Sequence, residues 1–255
     1  MNVTLIGSGN VATVLGKLIK SAGHTIMEVH SRDLLHAAIL AEELGANAVD
    51  DLGRLSLDAG LFIISVSDGA IAGIAETLKL PGKMVVHTSG AVAANALQNI
   101  SDNYGVLYPL QSLRKEANHI PAIPLLVDGS NEKTTKEILS FAETISNRVL
   151  FCGDEERLKL HVVAVVVSNF TNHLYALTSD YCSTEHIDFS ALFPLIEEVA
   201  GRVKEYNPEN MQTGPAIRGD AATIEKHIQL LAAYPQLQKI YAEMTISISE
   251  FYGNK

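Results

Sequence analysis

V-T-L-I-G-S-G-N-V-A, residues Val3 to Ala12, decides the reading of this chain. An apolar run, Val3 to Ile6, ends in Gly7, and Gly7-x-Gly9-x-x-Ala12 opens an amphipathic segment that reaches Ala22. The order is strand, tight turn, helix start. Gly7 permits the turn. Gly9 has no Cβ, so a pyrophosphate can approach the backbone closely. Ala12 is small enough for the helix to pack on the strand. The free N–H groups and positive dipole end of such a helix face bound phosphates. The stretch Gly7, Ser8, Gly9, Asn10, Val11 is therefore the expected dinucleotide cradle; a βα turn without ligand is the plainer reading of the same pattern.

Outward from this stretch, apolar runs alternate with helical patterns, the signature of a parallel sheet covered by helices. The expected strands are Val3–Ile6, Thr25–Val29, Leu61–Val66, Lys83–His87, Gly105–Tyr108, Ile123–Val127 and Arg148–Phe151, with a short one at Ala48-Val49. Helices are expected at Asn10–Ala22, Leu34–Leu44, Ala70–Leu78 and Thr134–Ser146. The pattern changes at Gly153: from Asp154 to Phe193 there is no glycine or proline, which predicts a long buried helix with Asp154 as its N-cap. Further helices follow Pro194, over Asp220–Ala232 and over Gln236–Phe251. The fold class is thus α/β, an N-terminal Rossmann domain (doubly wound, mostly parallel sheet) over 1–152 and an all-helical domain over 153–255.

Bulk properties narrow the function. A net charge of -10 disfavours nucleic acid, whose phosphates reward basic surfaces. The run Val162–Val167 is too short to span a bilayer, and no signal-peptide pattern opens the chain. The two cysteines form no metal or redox spacing, so no metal site and a reducing, cytoplasmic setting are expected.

The second strand ends in His30-Ser31-Arg32 where an acidic residue would hold the ribose hydroxyls of NAD. A hydroxyl and a guanidinium suit a 2′-phosphate, which points to NADP. A surface Ser-Arg pair is the alternative, and Asp33 is a rival ribose ligand that reads better as the N-cap of the next helix. Val66-Ser67-Asp68 ends a strand on the same edge as Gly7, so these residues join the cofactor rim, unless Asp68 only caps its helix. Thr88-Ser89-Gly90 ends the next strand, placed near the nicotinamide.

With these pieces in place, the chain resembles a known family. G-S-G-N-V-A is similar to pyrroline-5-carboxylate reductase and its relatives. V-S-D-G-A-I (66–71), H-T-S-G-A (87–91), Y-P-L-Q-S (108–112) and T-G-P-A-I-R-G-D-x-x-T-x-x-x-H (213–227) resemble the Rossmann-like NADP oxidoreductases that carry a helical C-terminal domain of unknown function. The resemblance implies this two-domain fold, NADP (NADPH) as cofactor and a homodimer formed through the helical domain. More distantly the layout is similar to 6-phosphogluconate and 3-hydroxyisobutyrate dehydrogenases. Their catalytic lysine and asparagine on the first long helix are replaced here by His161 and Asn169, and Lys159 has the wrong spacing.

On a regular helix Ser168 and Asn172, seven and eleven residues after His161, share its arc, with Asn169 beside it. Such a polar stripe among valines either makes interhelical hydrogen bonds or touches substrate. His161, titrating near neutral pH, suits proton donation as hydride reaches a carbonyl or imine carbon. Arg218, in the loop before Asp220, either clamps an anionic substrate group or pairs with Asp220. Gln111 is placed at substrate or nicotinamide. The expected function is hydride transfer between NADPH and a small carbonyl or imine held between the domains, with His161 and Asn169 catalytic and Gln111, Asn172 and Arg218 binding substrate. The alternative is a non-catalytic dinucleotide-binding sensor or regulatory protein.

Overall fold

The computed structural model describes residues 1–117 and 119–253. The chain forms two compact units, Met1–Asn169 and Phe170–Lys255. In the first, eight strands make one sheet: β1 Asn2–Ile6, β2 Thr25–His30, β3 Asn47–Val49, β4 Leu61–Ile64, β5 Met84–His87, β6 Asn103–Pro109, β7 Leu125–Gly129 and β8 Val149–Phe151. Their order is β3-β2-β1-β4-β5-β6-β7-β8. The first six follow the 3-2-1-4-5-6 order of a dinucleotide-binding sheet, which reverses direction of winding between β1 and β4. All neighbours are parallel except β6 and β7.

Alternate residues of the strands feed two cores, as a period of two requires. Val3, Leu5, Leu61 and Ile63 meet the buried sides of α1 (Asn10–Ser21), α2 (Leu34–Leu44) and α4 (Glu132–Ile145) on one face. Ile6, Phe62, Ile64 and Val85 meet α3 (Asp68–Thr77) on the other. Gly45, in the left-handed region at φ 73°, ends α2 as a C-cap.

α5 (Asp154–Ala164) belongs to the first unit, so the compositional change at Gly153 marks where that helix starts, while the unit runs on to Asn169. Gly153 is the N-cap, not Asp154. The helix is also not the long buried one expected. Val162, Val163, Val166 and Val167 are exposed, and the winding widens into a π-helical stretch at Val165–Phe170 before α6 (Thr171–Thr184). The aliphatic run alone is short, but the continuous helical stretch Asp154–Thr184 is long and apolar enough to cross a membrane by length and composition. The second unit continues with α7 (Phe193–Arg202), α8 (Ala221–Leu230) and α9 (Pro235–Gly253).

Candidate active site

The site is built where the parallel strands end. Gly7 follows β1 at φ 124°, a conformation open to glycine, and its N–H donates to the His30 carbonyl at 2.8 Å. A Cβ there would lie 2.1 Å from the Ser65 carbonyl oxygen, so the turn admits only glycine. Gly9 is the N-cap of α1 and supplies no side-chain cap, leaving the first amides of the helix unclaimed by side chains at that end. A Cβ on Gly9 would meet nothing within 4 Å. That open space lies over a helix N-terminus, which is the shape a pyrophosphate needs.

A cavity of about 1450 Å³ opens on this edge. Gly7 to Val11 line it, as do Ser31 and Arg32 after β2, Val66, Ser67 and Asp68 after β4, Thr88, Ser89 and Gly90 after β5, and His161 on α5. Every expected cofactor residue thus shares one cavity with His161. Asp33 is taken up as an N-cap, its Oδ1 accepting from the Leu35 and His36 amides. Asp68 is the first residue of α3, with Ser67 as N-cap. No ion pair among the described residues occupies Arg32. The residues present therefore fit a dinucleotide: a glycine cradle, an uncommitted guanidinium beside it, and a run of backbone and hydroxyl groups leading to an imidazole.

The loop after β5 is fastened from below. His87 is fully buried, and its Nδ1 accepts from the Ser89 amide at 3.2 Å while Nε2 faces the Ala93 carbonyl at 3.3 Å. A backbone N–H can only donate, so the ring proton sits on Nε2. Burial, with the Arg157 guanidinium nearby, pulls His87 down to about 4. From α5, Asp154 Oδ1 accepts from the Ala94 amide at 3.0 Å, and Arg157, 1% exposed, donates to the Val92 carbonyl and to Asp154, each at 2.6 Å. Asp154, read as a cap, instead ties the loop to the helix that carries His161.

Tyr108, at the end of β6, was legible only as part of Y-P-L-Q-S. It lines the cavity, and its hydroxyl lies 3.0 Å from His161 Nδ1. The two rings meet edge to face, centroids 5.8 Å apart. Gly90 lies against both: a Cβ there would sit 2.7 Å from His161 Nδ1 and 2.9 Å from Tyr108 Cζ.

The remaining expected residues stand elsewhere. The Gln111 amide donates to the Ala122 carbonyl and accepts from the Ser112 amide, so it fastens its own loop. Ser168 and Asn169 lie on the π-helical stretch, whose wider winding changes the phase of the residues beyond it, Asn172 among them, relative to His161. Asn172, on α6, and Arg218, in the loop before α8, belong to the second unit. There Asp220 caps α8 through the Thr223 amide, as expected, and His227 pairs with the Tyr241 hydroxyl at 2.8 Å.

Known proteins with this arrangement now identify the family. Residues 1–111 match a Rossmann-like domain and residues 123–248 a domain of unknown function (DUF2520). No curated protein matches the chain by sequence. Among solved structures, a putative NADP oxidoreductase from Bacteroides fragilis is 36% identical, with a TM-score of 0.92 and 98% of each chain covered. The imine reductase from Myxococcus stipitatus, solved with NADP+, is 15% identical, with a TM-score of 0.66 over 98% of this chain and 93% of that one. The 1-pyrroline-5-carboxylate reductase from Streptococcus pyogenes is 11% identical, with a TM-score of 0.63 over 98% of each. At these two identities the likeness is one of fold. At the first it is one of family: the chain belongs to the family that joins a Rossmann-like domain to a DUF2520 domain.

Proposed function

We propose that this protein is an NADP-dependent reductase that transfers hydride between NADPH and a small carbonyl or imine compound. The observation that carries the reading is one cavity lined by a glycine cradle, an arginine with no ion pair among the described residues and a histidine held by a tyrosine. Gly7 to Val11 would hold the pyrophosphate, Ser31 and Arg32 the 2′-phosphate, and Ser67, Asp68, Thr88, Ser89 and Gly90 the stretch toward the nicotinamide. The dinucleotide, when bound, supplies the hydride. The reduced oxygen or nitrogen then needs a proton, and His161 is placed to deliver it. Asn169 is the second proposed catalytic residue, and Asn172 and Arg218 are the proposed substrate contacts, Arg218 as a bidentate partner for an anionic group.

The functional form we propose is a homodimer through the helical region. Leu158, Val162, Val163, Val166, Val167 and Phe170 on the helical stretch, and Phe193, Leu195, Val199, Val203 and Met244 beyond it, are exposed in the single chain. A second copy gives these side chains a partner of matching chemistry. It also accounts for an apolar helical stretch whose hydrophobic side chains lie exposed in the single chain.

Calorimetry with NADPH and NADH tests the cofactor assignment. NADPH should bind more tightly, and Arg32→Ala should weaken NADPH while leaving NADH nearly unchanged. Equal wild-type affinities for the two would end the NADP assignment. Consumption of NADPH with a panel of aldehydes, ketones and cyclic imines tests the chemistry. Tight binding without turnover of any of them would favour a dinucleotide sensor.

A further inference from the structure

We propose that the Tyr108 phenol is the source of the proton in this reaction and that His161 only carries it. The inference rests on the reductase reading above. It starts from which edge of the imidazole faces the protein. His161 turns its Nδ1 and Cγ edge to Gly90, where a Cβ would lie 2.7 and 2.8 Å from those atoms, and to the Tyr108 hydroxyl, 3.0 Å from Nδ1. Nε2 lies across the ring from this contact, and no described residue takes it up. The imidazole is therefore held by one nitrogen and offers the other.

Tyr108 is only 9% exposed. Burial, and then the Asp68 carboxylate, push its phenol upward, with Arg157 opposing them. Cys152, in the same buried cluster, is kept a neutral thiol by burial and adds no charge. Burial thus keeps the phenol protonated at neutral pH, and in the proposed route it donates to Nδ1. The route therefore requires the proton of the neutral ring on Nε2. A neutral imidazole is a poor acid by itself, because loss of its N–H leaves an anion. Here the loss is balanced. Hydride from a reduced nicotinamide reaches the substrate carbon, and the C=O or C=N π electrons move to oxygen or nitrogen. That atom takes the proton of Nε2–H. The phenol proton passes to Nδ1 as the O–H bond breaks. The imidazole stays neutral in its other tautomer, Tyr108 is left as phenolate, and solvent restores its proton after the product leaves.

The route predicts a distinct pH profile. An imidazolium acting alone would give a kcat that falls as pH rises through the ordinary imidazole range near 6.5. With Tyr108 as source, kcat stays level there and falls only above about 10. Tyr108→Phe, which keeps the ring, should lower kcat by about a hundredfold and leave a residual rate that falls through the imidazole range. A second measurement needs neither cofactor nor substrate. Nitrogen NMR of histidine-labelled protein should show His161 with its proton on Nε2, and Tyr108→Phe should shift the Nδ1 resonance as the hydrogen bond from the phenol is lost. A wild-type kcat that falls near pH 6.5, or a His161 Nδ1 resonance unmoved by Tyr108→Phe, overturns the route while leaving the reductase reading intact. Failure to turn over any carbonyl or imine overturns both.

Discussion

Gly7 and Gly9 stand two residues apart in one loop, yet each lacks a side chain for a different reason. At Gly7 the protein's own backbone forbids one, since the Ser65 carbonyl would lie 2.1 Å from a Cβ. At Gly9 nothing of the protein stands within 4 Å, so a side chain there would meet only what binds over the helix N-terminus. Gly9→Val should therefore keep a cooperative melt near the wild-type temperature and lose NADPH binding. If calorimetry shows wild-type affinity in that variant, the loop is not the phosphate site. This much was readable in the sequence, because a strand, two glycines and a helix follow each other directly. The pairing of Tyr108 with His161 was not, because the partners come from different elements and meet only when the sheet and α5 come together. Gln111 shows the opposite case: its motif pointed at the site, while its amide groups were claimed by neighbouring backbone.

At the scale of elements, the strands and helices of the first unit lie close to their expected positions, since period and punctuation are local. The direction of β7 was not readable, because an apolar run looks the same from either end. Nor was the tie between the loop after β5 and α5, since Asp154 serves a remote amide with the chemistry of a local cap. The buried histidine beneath that loop sets a pH dependence. His87 is neutral in the fold, at about 4 against 6.5 when free. Between those values the unfolded chain binds the extra proton and the folded chain does not. The contribution is complete above about pH 6.5 and is lost as pH falls toward 4, on the order of 3 kcal/mol in all. Denaturant melts of His87→Asn and wild type between pH 4 and 7 should show a steeper acid loss in the wild type. Equal slopes would mean His87 does not hold the loop in its neutral form.

For the whole molecule the expected form is two chains. Among the described residues of the second unit, few apolar side chains are buried: Cys182, Ala216 and Leu231. A helical unit with so small a core of its own gains most of its stability from what covers it. Analytical ultracentrifugation should give twice the 27.5 kDa mass of the chain. Val163→Asp with Val167→Asp should shift the mass toward the monomer and lower the melting temperature. A wild-type monomer at micromolar concentration would refute the dimer. The helix that carries these valines has one more consequence, and it concerns heredity. A wide turn is what one inserted codon leaves in a regular helix, and each added residue turns the downstream side chains by about 100°. A relative wound regularly through the valine run would therefore need a one-residue gap there for the faces of α6 to correspond.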